Sequence, residues 1–183
     1  MKKSTIFKPA VLSIMLGMGA MMTMGTANAD DAPKSLNEDA VSLLQAIEIA
    51  KNNTGGVPLE AERDVEMGQA LYEIELTGKN GEEIRTVIDA QTGKVILTKN
   101  RSNHDDDHDD QLENALLLSG INSGKYLSLE QAVKQSEAAF NGKAWSVEID
   151  DDHNSLSYEV ELLNASGQRI ETRINAISPV SNS

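Results

Sequence analysis

The chain has 183 residues, no cysteine and a formal net charge of −13 at pH 7. The lack of cysteine excludes disulfides, thiolate catalysis and cysteine-based zinc sites. The strong negative charge disfavours binding to nucleic acid and to anionic lipid surfaces, and it favours cations or partners with basic surfaces.

The first 29 residues have the three-part layout of a secretory signal peptide. Lysines at the start precede an uncharged apolar run over 10–24, and small residues ending at Ala29 form a cleavage site. The run is shorter than the roughly 20 residues that a membrane-spanning helix needs. We therefore predict cleavage after Ala29 and a periplasmic or secreted destination, and an uncleaved N-terminal anchor is the weaker alternative.

The chain that remains after the signal peptide, 30–183, is more acidic than the whole. It keeps 13 basic and all 29 acidic residues, which gives a net charge of −16. It contains no second long apolar stretch, so we expect no membrane-spanning segment after the signal peptide.

A repeat with a constant offset of 86 residues runs through this remaining chain. The segment 42–47 aligns with 128–133, and 72–76 aligns with 158–162. Because no gap is needed, the pattern indicates a duplicated domain. We predict a signal peptide over 1–29, a first domain over 30–99, an acidic linker over 100–111 and a second domain over 112–183.

Each repeat is predicted to begin with a helix. Apolar residues recur at helical spacing after Ser42 and after Ser128, and each serine is followed three residues later by a glutamine. This spacing predicts a capping box at both helix starts. Asparagine and glycine residues near 53–56 and 141–142 predict the two helix ends.

After each helix the hydrophobic period changes to two, which is typical of half-buried strands. We expect the apolar side chains to face a core and the intervening glutamates to face water. Strands are predicted near 61–66, 71–76, 82–90 and 95–97 in repeat one, and near 144–150, 158–163 and 168–176 in repeat two. The last strand of repeat two is predicted to be missing or frayed, because Pro179 cannot donate to a sheet ladder.

These elements predict an α+β fold made of two repeated small domains. Each domain would consist of one helix packed on a three- or four-stranded antiparallel sheet. The aromatic residues of the remaining chain are interpreted as core residues; they are Tyr72, Tyr126, Phe140, Trp145 and Tyr158.

The segment 72–96 resembles a PepSY domain, most clearly in the Asp-Ala-x-Thr-Gly-x-Val pattern that starts at Asp89. Repeat two resembles the same domain. PepSY domains occur in propeptides of thermolysin-like peptidases and in bacterial envelope proteins. The resemblance implies a non-catalytic binding module without a cofactor, which inhibits or chaperones a peptidase or another envelope protein.

Repeat two departs from the family pattern at its end. Asn175, Ser178 and Pro179 stand where repeat one has Asp89, Thr92 and Gly93. If the last strand of the domain binds a partner, the resemblance implies that only repeat one keeps this function.

The predicted linker contains a dense group of aspartates and histidines over 103–110. Imidazole and carboxylate groups are ligands for divalent metals. The candidate ligands are His104, Asp105, Asp107, His108 and Asp109. Like-charge repulsion argues against a helix here, so a solvated flexible linker is the favoured interpretation. The alternative function is that of an envelope metal-binding or metal-responsive protein.

Enzyme functions are poorly supported by the sequence. The three histidines all lie in acidic segments, which gives no Ser-His-Asp arrangement, and no glycine-rich phosphate loop is present. We therefore predict no catalytic residues.

Overall fold

The computed structural model describes residues 33–100, 108–152 and 155–178. The predicted signal peptide lies outside these residues. Within them the chain forms three helices and seven strands. They are α1 (Leu43–Thr54), β1 (Val57–Glu66), β2 (Gln69–Thr77), β3 (Glu83–Asp89), β4 (Val95–Asn100), α2 (His108–Asn122), α3 (Leu129–Phe140), β5 (Gly142–Asp152), β6 (Ser155–Asn164) and β7 (Arg169–Asn175).

Both predicted capping boxes are present. The hydroxyl of Ser42 accepts a hydrogen bond from the amide of Gln45 at 3.3 Å, and the Gln45 side chain accepts one from the Ser42 amide at 2.9 Å. Ser128 and Gln131 form the same pair in repeat two, at 3.4 and 2.8 Å. These bonds satisfy amides that have no partner within the helix, so the two helices start at equivalent positions.

Helix α2 begins at His108, inside the segment that we predicted as a linker. The expectation that like charges oppose a helix there is wrong from His108 onward. An acidic sequence is compatible with a helix start, because the N-terminal end of a helix favours negative residues. The residues over 101–107 lie outside the described part of the chain.

All seven strands form one antiparallel sheet in the order β4-β3-β2-β1-β5-β6-β7. The two repeats therefore meet at the pair β1–β5. Ala61 lies opposite Val147 there, and these two residues are themselves equivalent under the 86-residue offset. No described strand follows β7, so repeat one contributes four strands and repeat two contributes three.

Helices α1 and α3 cover one face of this sheet, and the two repeats share one core. The inward faces of the two helices are formed by Leu43, Ala46, Ile47 and Ala50 in α1 and by Leu129, Ala132, Val133 and Ser136 in α3. Each helix also contacts the first strand of the other repeat. The α+β prediction is confirmed. A domain of about 60 residues buries too little surface to be more than marginally stable, so the shared core stabilises both repeats.

The opposite face of the sheet carries charged residues in cross-strand pairs. Arg85 of β3 pairs with Glu73 of β2, and Arg169 of β7 pairs with Glu161 of β6. The glutamates lie on the face that the alternation predicts. They are partly buried there, because the arginine side chains of the neighbouring strand cover them. No helix in the described ranges is long and apolar enough to cross a membrane.

Candidate binding surfaces

The predicted metal ligands are not brought together by any described part of the structure. His104, Asp105 and Asp107 lie outside the described residues. His108 and Asp109 lie in the first turn of α2, where only the backbone is described. Among the described residues, no group of three or more histidine, cysteine, aspartate or glutamate side chains could hold a metal ion. Metal binding by the acidic segment therefore stays a prediction.

A buried polar cluster ties the N-terminal segment of repeat one to the sheet. Asp39 accepts two hydrogen bonds from Arg63, at 2.6 Å from Nε and 2.9 Å from Nη2, and the Tyr72 hydroxyl donates to Asp39 at 3.3 Å. The side chains of Asp39 and Arg63 are 2% and 9% exposed. The hydrogen bond from Arg63 to Asp39 raises the pKa of Arg63, while burial raises the pKa of Tyr72. These bonds hold the segment before α1 against β1 and β2.

Repeat two replaces this cluster with a single hydrogen bond. Lys125 and Ile149 stand at the positions of Asp39 and Arg63. The hydroxyl of Tyr158, the equivalent of Tyr72, donates instead to the carbonyl oxygen of Leu127 at 2.7 Å.

The turn after β3 is built by the sequence Asp89–Gly93. The Asp89 carboxylate accepts hydrogen bonds from the amide and the hydroxyl of Thr92 at 2.8 and 3.0 Å. The bond from the Thr92 hydroxyl is the main cause that lowers the pKa of Asp89. Gly93 has φ +69°, and a Cβ at this position would lie 3.1 Å from Val41. This turn reverses the chain so that β4 pairs along the outer edge of β3.

The chain after β7 does not follow the course of the chain after β3. The Asn175 side chain accepts a hydrogen bond from the Ile177 amide at 2.8 Å, and Ile177 forms an isolated bridge with Tyr126. The amide of Ser178 then donates to the Lys125 carbonyl oxygen at 2.9 Å. The chain is thus directed toward the segment before α3, and no described residue pairs with the outer edge of β7.

The two sheet edges consequently differ in character. At one edge, β4 is largely exposed, with Ile96 and Leu97 52% and 49% exposed. At the other edge, Ile170 and Ile174 of β7 are only partly buried against the core. A strand edge presents unpaired amide and carbonyl groups to any extended chain that approaches it.

Glu171 is a partly buried carboxylate of the charged face. It lies opposite Glu161 in the β6–β7 ladder. Burial, together with the nearby charges of Glu159 and Glu161, raises the pKa of Glu171 to about 7. Arg169 and Arg173 oppose this rise but pair with other carboxylates. The equivalent residue of repeat one is Arg85, which lies opposite Glu75.

A shallow depression lies between α1, the end of α2 and the start of α3. Its lining includes Lys51, Glu130 and Lys134, and Lys51 forms an ion pair with Glu130. The ion pair between Lys51 and Glu130 joins α1 to α3 across this depression.

Together these features define an α+β module with two helix-on-sheet repeats. The model of the PepSY family, described as the peptidase propeptide and YPEB domain, matches residues 40–99 and 126–178. The matches cover more than half of the chain, and the chain therefore belongs to the PepSY family. PepSY domains are in general regulatory or binding modules of exported proteins, which agrees with the binding module that the sequence predicts.

One solved structure, described as a "putative lipoprotein" of Clostridium difficile 630, resembles this chain with a TM-score of 0.44 and 18% identity. The similarity covers 77% of this chain and 93% of that one. No curated protein matches the chain.

The sequence did not single out the edge of β7 as a candidate site. The alignment of the repeats at an offset of 86 residues does show a change of charge, because Glu171 stands where repeat one has Arg85. The importance of this difference depends on the absence of a neighbouring strand among the described residues, and only the fold reveals that.

Proposed function

We propose that this chain is an exported, non-catalytic binding module that restrains or assists a peptidase or another envelope protein. The observation that carries the proposal is the match of both repeats to a family whose description names peptidase propeptides. The signal-peptide pattern of the first 29 residues supports export.

The shape of the sheet supports binding through an edge or through the charged face. Both edge strands, β4 and β7, have an outer side that no described strand covers. Proteins commonly bind extended segments by adding a strand to such an edge, with backbone hydrogen bonds for affinity and side-chain positions for specificity. The acidic chain favours a partner with a basic contact surface.

The proposal is tested with the purified chain 30–183 in two assays. In the first, the chain is titrated into thermolysin-type and envelope peptidases, and the rate of peptide cleavage is measured. In the second, the chain is immobilised and used to retain a peptidase from envelope extract. We expect slower cleavage, altered peptidase stability, or retention of a defined peptidase or envelope protein in a fixed ratio.

A variant with both His104→Ala and His108→Ala is the matched control for the retention assay, which is run with and without a chelator. Equal retention by both baits in both conditions supports the binding module. Retention that disappears with the chelator and with the double variant would favour the metal-dependent alternative. If the chain affects no peptidase and retains no envelope protein, the proposal is wrong.

A further inference from the structure

The place beside β7 is the equivalent of a place that repeat one fills with its own strand. In repeat one, β4 pairs with β3 over five positions, from Ile84 opposite Asn100 to Ile88 opposite Val95. In repeat two, β7 has the same length as β3 and the same pairing with its inner neighbour. Repeat one therefore shows which kind of strand this edge of the domain accepts.

Two isoleucines of β3, which has β4 beside it, are more buried than their equivalents in β7. Ile84 and Ile88 of β3 are 7% and 0% exposed. Their equivalents in β7, Ile170 and Ile174, are packed against the core but stay partly exposed. A strand beside β7 would remove this apolar surface from water, which is favourable in proportion to the area buried.

The charge at the centre of β7 indicates the side chain that such a strand would carry. In repeat one, Lys99 lies opposite Arg85. In repeat two, the position of Arg85 is taken by Glu171, whose direct neighbour in β6 is Glu161. A basic residue opposite Glu171 would form a favourable cross-strand pair, and an acidic one would be repelled.

We propose that the outer edge of β7 binds an extended, basic segment of a partner protein as an antiparallel eighth strand. The segment has apolar or β-branched residues opposite Ile174 and Thr172, and a lysine or arginine opposite Glu171. The inference rests on the proposed function as a binding module, and it names the surface and the chemistry of the bound segment.

A labelled peptide with the sequence of 94–101 of this chain serves as the probe, because it contains the β4 strand and the residue Lys99. Its binding to the chain 30–183 is measured by fluorescence anisotropy. We expect saturable binding at one site per chain. A peptide with the change Lys99→Glu is expected to bind about fivefold more weakly, because like charges would lie opposite each other.

The matched variant of the protein is Glu171→Arg, which reproduces the arrangement of Arg85 opposite Glu75 in repeat one. We expect it to fold, to weaken binding of the lysine peptide about fivefold and to strengthen binding of the glutamate peptide by a similar factor. The change Lys99→Glu in the protein alters the other sheet edge and is expected to leave the peptide affinity unchanged. In NMR spectra of the protein, we expect the backbone amide chemical shifts of residues 169–175 to change when the peptide is added.

Three results would overturn the proposal. The first is no saturable binding of the lysine peptide. The second is binding that responds to the change in β4 and not to Glu171→Arg. The third is concentration-dependent self-association of the chain that Glu171→Arg abolishes, which would assign the edge to a second copy. These assays contain no peptidase, so their failure is distinguishable from failure of the proposed function.

Discussion

The two repeats have equivalent helices and strands but differ in one buried polar cluster and in the strand that follows β3 or β7. The amide of Ala90 donates to the carbonyl oxygen of Ala70 at 3.0 Å, and the equivalent Ala176 donates to Leu156 at 2.9 Å. The buried polar cluster at Asp39, the turn at Gly93 and strand β4 occur only in repeat one among the described residues. The turn and β4 lie at the outer edge of the sheet, whereas Arg63 lies on β1, the strand that joins the two repeats. The repeats therefore differ both at the sheet edge and beside the shared core.

The largest expected difference between the repeats concerns the buried ion pair. The substitution Asp39→Asn leaves the buried charge of Arg63 without the counter-charge of Asp39, and we expect a loss of about 3–5 kcal/mol in the free energy of unfolding. The free energy of unfolding is measured by urea denaturation, with circular dichroism as the signal. The matched change in repeat two is Tyr158→Phe, which removes one neutral hydrogen bond and is expected to cost about 1 kcal/mol. Equal costs would contradict the structural difference between these sites.

The turn that directs β4 is expected to show the next largest effect. Gly93→Ala combines a left-handed backbone with a Cβ at 3.1 Å from Val41 and 3.3 Å from Ile49. We expect a loss of about 2 kcal/mol, of which the backbone conformation accounts for about 1 kcal/mol. Gly167→Ala is the control, because its φ is +77° and nothing lies within 4 Å of the added Cβ. Thermal unfolding of both variants separates backbone strain from crowding, and an equal loss would exclude crowding.

Glu171 is expected to make the stability of the chain depend on pH, whereas its equivalent in repeat one, Arg85, is not. The pKa of Glu171 is raised to about 7 in the folded chain by burial and by Glu159 and Glu161. The folded chain then holds a proton that the unfolded chain has lost between about pH 4.5 and 7, so stability falls as the pH rises through this window. Glu171→Gln should be about 1 kcal/mol more stable than the wild type at pH 8, allowing for solvent screening, and equal to it at pH 4.

The control for this pH effect is Glu113→Gln on the exposed surface of α2. Its unfolding midpoint is measured at pH 4 and pH 8 beside that of Glu171→Gln. A gain from Glu171→Gln that does not change with pH would show that the carboxylate keeps its ordinary pKa.

The smallest expected effect on stability concerns the segment that joins the repeats. The metal hypothesis predicts micromolar or tighter binding of zinc, nickel or copper, lost when both His104 and His108 are replaced by alanine. Isothermal titration calorimetry measures the affinity, and the unfolding midpoint without metal should stay unchanged. Millimolar binding that persists in the double variant would leave only the attraction of cations to a polyanion.

Local elements were predictable because their signals lie within a few residues. The two capping boxes at Ser42 and Ser128 and the alternation in β2 and β6 each depend on short-range spacing, and the structure confirms them. The prediction that the last strand of repeat two is missing or frayed stays a prediction, because the residues equivalent to β4 lie beyond Ser178, the last described residue. Because the domain is duplicated, most elements are predicted twice, once from each repeat.

Features that depend on distant parts of the chain were not predictable. The pairing of β1 with β5 joins two strands about 86 residues apart, and no local pattern distinguishes this edge from the others. The partner of Arg63 is Asp39, which the sequence separates from it by a whole helix and a turn. The helix start at His108 depends on two opposing effects, the repulsion between aspartates and their preference for helix N-termini, and the sequence does not show which is larger.

The junction at Ala61 and Val147 also determines how the fold can assemble. A strand that pairs antiparallel with its own equivalent does so around a local twofold axis, which is the geometry of an isologous homodimer interface. A single repeat would therefore carry a self-complementary edge, and two separate copies could rebuild the central ladder. The covalent connection replaces this bimolecular step with an intramolecular one. The central pairing, and with it the sheet, then forms independently of protein concentration.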